Sequence, residues 1–297
     1  MNLHLTDQVA FIAGSSRGIG RAIAATLLDE GARIVITGRD PESLTQTHNE
    51  LATPENHHRI LAISGNFADT DTIEDAFNLT ISRFGRIDHL IANLGTGTGK
   101  PGWQQVESEW IRLFDANFFA SVRLAQAAVP HLRRAIPIDP GADQTPDQIP
   151  DQTADQTADQ TPPEVRTTGQ STTSTSPSIL FLSSITAVEA TPAPLPYSAA
   201  KAALNNYAKN LARLLAPEGI RVNTIAPGNI FFPGGSWERH LSTRKQAVEH
   251  MLQTEVPQNR FGTPEEIASL AAYLCSPHAA FSTGSTYIMD GGQTRSL

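Results

Sequence analysis

Short apolar runs alternate with helix-spaced apolar positions along most of the chain. Residues 8–14, QVAFIAG, are apolar, carry β-branched side chains and end at a glycine, which predicts a buried strand. In residues 18–32, Ile19, Ile23, Ala24, Leu27 and Leu28 recur at helical spacing, and Gly31 offers a natural helix end. Residues 33–38, RIVITG, read as a second buried strand, so the three elements make a right-handed parallel crossover. The alternation continues with strands at 59–65 and 87–95, a helix at 72–85 and a long helix from 107 to 134. Further on come a strand at 178–184, a helix at 197–216, a strand at 221–228 and a last strand at 285–292. Interleaved strands and helices of this kind predict an α/β chain: one doubly wound, Rossmann-type parallel sheet with helices on both faces.

One segment breaks the pattern. Residues 136–178 include DQTPDQIPDQTADQTADQ (143–160), a four-residue unit said over and over. Six Asp and Glu164 against Arg166 give this segment −6 of the chain's net charge of −8. Asp, Gln, Thr, Ser and Pro cannot bury a core, so 136–178 is expected to be a disordered insertion within a single catalytic domain spanning 1–297. A regular helix is disfavoured, because Asp at i and i+4 repel and Pro146, Pro150, Pro162 and Pro163 interrupt. The segment links a helix end to a strand start. That places it at the amino ends of the strands, away from the carboxyl ends where ligands bind.

Outside the insertion the chain is nearly neutral, which argues against a nucleic-acid partner. No apolar run nears the ~18 residues of a membrane span, and the N-terminus lacks a basic-then-apolar signal, so no membrane partner and a cytoplasmic location are expected. The lone Cys275 agrees with a reducing compartment. The nine histidines show no metal spacing, and no metal is expected.

Chemistry begins at AGSSRGIG, where Gly14, Gly18 and Gly20 lie between a strand and a helix. Without a Cβ the backbone can approach a pyrophosphate, and the helix N-terminus offers free N–H groups; a plain tight turn would also use glycine. Tyr197 and Lys201 in YSAAK share one helix face, with Ser184 thirteen residues upstream at a strand end. Asn117 lies in DANFFASVRLAQ, and ANLG (92–95), APG (226–228) and DGG (290–292) complete the series. In their spacing and order these motifs resemble the short-chain dehydrogenase/reductase family, in its single-domain branch similar to 3-oxoacyl-acyl-carrier-protein reductases.

That resemblance implies an oxidoreductase with Asn117, Ser184, Tyr197 and Lys201 as its catalytic tetrad. Lys201 would also hold the nicotinamide ribose, and Asn117 a water in the proton relay. It further implies dinucleotide contacts from Gly14, Ser16, Arg17, Gly18, Ile19 and Gly20 in the first loop, and from Arg39. Asn66 and Phe67 would lie near the adenine, Asn93 and Gly95 at the end of the fourth strand, and Pro227, Gly228 and Ile230 at and just after the end of the sixth. A small carbonyl or alcohol substrate and a homo-oligomer, dimer or homotetramer, follow from the same likeness. A non-catalytic dinucleotide-binding regulator is the alternative, and an intact tetrad argues against it.

The residues support this chemistry. Hydride transfer to a carbonyl leaves an alkoxide that needs a proton, and a tyrosine's ordinary pKa of about 10 is too high for a base near neutrality. A Lys201 ammonium and an oxidised nicotinamide would both favour phenolate, making Tyr197 acid for reduction and base for oxidation. Ser184 would hydrogen-bond the substrate oxygen, while the hydride belongs to the cofactor. NAD users place an acid about 20 residues beyond the glycines. Here Gly38 is followed by Arg39, with Arg17 in the glycine loop, and paired guanidiniums suit a 2′-phosphate: NADP is expected over NAD.

Three positions depart from the family pattern. Asn66 replaces an aspartate, Leu94 enlarges the N-A-G turn, and Phe232 stands where a threonine is usual in PGNIFFPGGSWERH. Phe231, Phe232 and Trp237 could form an apolar lid hinged at Pro233, Gly234 and Gly235, or simply pack in the core.

Overall fold

The computed structural model describes residues 1–100, 102–135 and 176–295. Seven strands form one sheet: β1 Val9–Ala13, β2 Arg33–Gly38, β3 Ile60–Ser64, β4 His89–Ala92, β5 Ser178–Leu182, β6 Arg221–Pro227 and β7 Thr286–Met289. Their order is β3-β2-β1-β4-β5-β6-β7 and every pairing is parallel. The chain reverses its winding between β1 and β4, which opens a crevice at the carboxyl ends of these strands, the usual place for a ligand in such a sheet.

Strands β1, β4, β5 and β6 are buried along their whole length, as a sheet covered on both faces requires. Alternate side chains feed two cores. Ile12, Ile36 and Ile225 pack on one face under α1 Gly18–Asp29 and α8 Pro264–Cys275, with Ile23, Leu27 and Ile267. Phe11, Leu90 and Phe181 pack on the other under α3 Thr70–Phe84, α5 Ala120–Ala135 and α6 Leu195–Leu215. Phe11 meets Phe77 edge-on at 4.6 Å and Phe67 at 5.9 Å.

The predicted helix at 107–134 is interrupted: α4 Glu107–Phe114 passes into α5 through a π-helical turn, Asp115–Phe119. Three helices were not assigned from the sequence: α2 Pro41–Leu51, α7 Ser236–Glu255 and α8, although Ile267, Ala271 and Leu274 of α8 do recur at helical spacing. Only Leu44 and Thr47 of α2, and only Val248 of α7, are buried, so neither helix carries a stripe. The signals for α2 and α8 lie in their caps. Asp40 accepts from Glu42 N and Ser43 N ahead of Pro41, and Thr263 with Glu266 closes a capping box ahead of Pro264.

A buried polar network crosses the amino end of the sheet. Asp88 accepts from Val9 N at 2.8 Å and from Arg86, while His89 bridges Ser178 Oγ (2.8 Å) and Gln8 Oε1 (2.5 Å). Arg221 donates to Leu274 O at 2.7 Å and to Cys275 O and Ser276 O, satisfying carbonyls that the end of α8 leaves free. At this same end Arg86 donates to Ala135 O and Arg221 to Ser176 Oγ. The chain therefore leaves and re-enters the described structure at the amino ends of the strands. Of the expected disordered insertion 136–178, residues 136–175 lie outside the described residues, while its end is corrected: Ser178 is buried as the first residue of β5.

Candidate active site

The loop from β1 into α1 folds tightly against β2 and β4. Gly14 (φ 73°) and Gly18 (φ 56°) take the left-handed conformation that glycine adopts freely. Gly14 N donates to Thr37 Oγ1 at 3.0 Å, and Asn93 Nδ2 donates to Gly14 O at 2.8 Å. A Cβ on Gly14 would lie 2.9 Å from Asn93 O, and one on Gly20 would strike Gly14 O. Ser16 packs under Gly38, its carbonyl accepting from Thr47 Oγ1 at 2.7 Å, and Ile19 leans on the core. Arg17 is the N-cap of α1 and its side chain makes no cap, so the first N–H groups of the helix have no side-chain partner. A cradle that excludes Cβ atoms in front of such a helix fits an anion such as a pyrophosphate.

The four tetrad candidates come together at the ends of β4 and β5. Asn117 sits in the π turn, fully buried, a device that often marks a functional position. Its Nδ2 donates to Leu113 O (2.9 Å) and Thr96 O (3.0 Å), and its Oδ1 accepts from Thr96 N (3.0 Å). Gly95 lies between two of the candidates: a Cβ there would be 2.6 Å from Asn117 Oδ1 and 3.1 Å from Lys201 Nζ. Lys201 is 4% exposed and donates to Leu182 O at 2.8 Å, and burial lowers its pKa to about 8. Tyr197, one turn earlier on α6, has its ring beside Gly97. Ser184 caps a short helical turn, its Oγ accepting from Thr186 N at 3.2 Å.

Burial pushes the Tyr197 phenol above its ordinary value, and a hydrogen bond with Ser184 draws it only part of the way back. The Lys201 ammonium donates to Leu182 O.

The other candidates are distributed along the same crevice. Arg17 and Arg39 are both exposed, near the carboxyl end of β2. The expectation that no acid stands at this strand end is corrected, since Asp40 directly follows Arg39. Its carboxylate is committed to α2, and the bonds from Ser43 hold its pKa below the usual range. Asn66 is exposed, whereas Phe67 is 2% exposed and stacks on Phe11, so only its backbone can face a ligand. Pro227 ends β6, Gly228 N donates to Met289 O at 2.9 Å, and a Cβ on Gly228 would press on Asp290 at 2.8 Å. Ile230 is buried and bridges to Gly262.

The lid residues separate. Phe231 and Trp237 both pack on Phe261, at 5.8 and 5.2 Å, in a half-buried aromatic cluster outside the two cores. Phe232 alone reaches the glycine loop, its ring lying on Gly18. Thr96, Leu182 O and Phe261 are contributors that the sequence did not single out. The GTGTG run (95–99) hinted at the first, but a carbonyl contact such as Leu182 to Lys201 leaves no trace in residue type.

Among the described residues, no cluster of His, Cys, Asp or Glu could hold a metal ion, and no helix is long and apolar enough to cross a membrane.

Residues 8–136 match the family described as short chain dehydrogenase, and residues 165–294 the one described as enoyl-(acyl carrier protein) reductase. Isoepoxydon dehydrogenase of Aspergillus clavatus is 30% identical over 95% of this chain and 92% of its own. The 3-oxoacyl-(acyl-carrier-protein) reductase of Vibrio cholerae is 27% identical over 98% of each. The crystal structure of L-sorbose reductase from Gluconobacter frateurii, complexed with NADPH and L-sorbose, superposes with a TM-score of 0.81 at 28% identity over 100% of both chains. Motif order, strand order and these likenesses agree along nearly the whole length, and the chain belongs to the short-chain dehydrogenase/reductase family of oxidoreductases.

Proposed function

We propose that the protein is an NADP-dependent oxidoreductase that moves a hydride between nicotinamide and a carbonyl or secondary alcohol, with 3-oxoacyl thioesters among the candidate substrates. The convergence of Asn117 Oδ1 and Lys201 Nζ on Gly95, one helical turn from the Tyr197 phenol, carries this reading. When bound, the nicotinamide supplies or accepts the hydride. The chain's own residues handle the proton. Tyr197 gives one to the substrate oxygen in reduction and takes one in oxidation, and Ser184 donates a hydrogen bond to that oxygen as charge develops. Burial favours the neutral phenol in the free protein. Lys201 Nζ and Asn117 Oδ1 supply the next polar atoms for replacing the proton. Arg17 and Arg39 would hold the 2′-phosphate, and Asp40, engaged at its helix cap, is not free to take a ribose hydroxyl.

The named substrates of the relatives share only a carbonyl or alcohol centre, and that class is as far as the reading goes. Exposed Trp103, Ile111 and Phe119, on and beside α4, support a homo-oligomer, which light scattering on the purified chain would measure. A cytoplasmic location and a single domain across 1–297 complete the proposal. The functional test is a panel of 3-oxoacyl thioesters, simple ketones and ketoses, read as consumption of NADPH and, separately, NADH. Turnover of at least one carbonyl with NADPH preferred supports the reading, and an absence of turnover across the panel despite tight NADPH binding favours the regulator instead.

A further inference from the structure

We propose that Phe232 gates the dinucleotide site: its ring closes the glycine loop, Arg17 helps latch it, and entry requires the turn 232–235 to lift. This rests on the reading of that loop as a dinucleotide cradle. A Cβ placed on Gly18 would lie 2.7 Å from Phe232 Cζ, 2.8 Å from Cε2 and 3.0 Å from Cε1. The ring thus lies flush on the backbone that a pyrophosphate would approach. A second contact holds the turn, with Arg17 Nη1 donating to Gly234 O at 3.4 Å. The turn is itself compact, since Gly235 N donates to Phe232 O at 3.0 Å, and Glu238 Oε2 takes Gly234 N at 2.8 Å.

The root of the lid is anchored separately. Phe231 and Trp237 stack on Phe261, and Phe231 N donates to Gly262 O at 3.0 Å. The tip can therefore move while the root stays packed, with Gly234 and Gly235 between them. A threonine at position 232, the usual family residue, has no ring to cover Gly18. Arg17 has two uses under this arrangement: it latches the closed lid, and once the lid lifts its guanidinium is free for a phosphate. A gate of this kind makes binding wait on opening, and apparent affinity falls by the fraction of time the site is open.

The test uses the full chain, with the change in its tryptophan emission reporting NADP⁺ binding. NADP⁺ alone is added in a stopped-flow fluorimeter, and affinity is measured by calorimetry. The gate predicts a rate that climbs and then plateaus as NADP⁺ rises. Adding Phe232→Ala removes the plateau and tightens binding at least threefold, with Phe232→Leu in between. Thermal melts check that each variant is folded, and Phe232→Leu carries the comparison if the alanine variant is not. A parent rate linear in NADP⁺, or a Phe232→Ala variant with the same plateau and equal or weaker binding, overturns the gate while leaving the cofactor assignment in place. If parent and variants alike bind no NADP⁺ in the calorimeter, the cofactor reading falls, and the gate with it.

Discussion

Lys201 and Arg39 make the sharpest predictions at the scale of single residues. Burial lowers the Lys201 pKa to about 8, so its ammonium is lost as pH rises through that value rather than near 10.5. If that charge supports proton delivery through Tyr197, kcat/KM for reduction falls as pH passes about 8 in the wild type. Lys201→Met lowers activity and flattens this limb; an unchanged limb would place the ionisation elsewhere. At the 2′ site, Arg39→Asp weakens NADPH and improves NADH relative to it, measured as the ratio of kcat/KM for the two cofactors. A ratio that does not move shows that Arg39 touches no phosphate. These positions were readable because their chemistry lives in residue type and spacing: Ser184, Tyr197 and Lys201 stand where the strand-to-helix pattern puts them. The direction of the Tyr197 shift was not readable, because it depends on how deeply packing buries the phenol. Phe67 shows the same limit, with a motif position whose side chain the core has taken.

Among the elements, the network at the amino end of the sheet should govern acid stability. His89 is fully enclosed between Gln8 and Ser178, and burial, with Arg221 and Arg86 nearby, lowers its pKa to about 3. The unfolded chain takes up a proton at about pH 6.5 that the folded protein refuses, so stability is lost as pH falls below that value. The slope approaches 1.4 kcal/mol per pH unit for this one group. Urea midpoints between pH 7 and 5 should show this slope, and His89→Val should reduce it while lowering stability at neutral pH, because Gln8 and Ser178 lose their partner. An identical pH dependence in the variant rules out His89 as the acid-sensitive group. Thr263→Ala, which opens the capping box of α8, should cost about 0.5–2 kcal/mol in the same measurement. The strands were legible because most are short, largely apolar runs. Helices α2 and α7 were not, since a helix that buries one or two side chains has almost no period to detect, and the π turn at Asn117 leaves the apolar pattern of α4 and α5 running straight through it.

At the scale of the whole molecule, the ends of the described chain at Ala135 and Ser176 meet the sheet at its amino edge, while the tetrad candidates lie at the carboxyl edge. Replacing 136–175 with a short turn should therefore leave turnover unchanged and raise stability by up to about 2 kcal/mol, the closure entropy of the longer connection. A correctly folded deletion variant that has lost activity would mean that the segment contributes to the substrate side. The acidic repeat itself was plain in composition, and connectivity put the exit and re-entry of the chain at the amino edge. The account as a whole depends on a tyrosine placed by the fold to exchange a proton with a substrate oxygen. Its most direct test is Tyr197→Phe, assayed for NADPH-linked carbonyl reduction beside a calorimetric measurement of NADPH binding. The account predicts unchanged binding and turnover reduced by about 10²- to 10⁴-fold. A variant that binds NADPH normally and keeps more than about a tenth of wild-type turnover would contradict it.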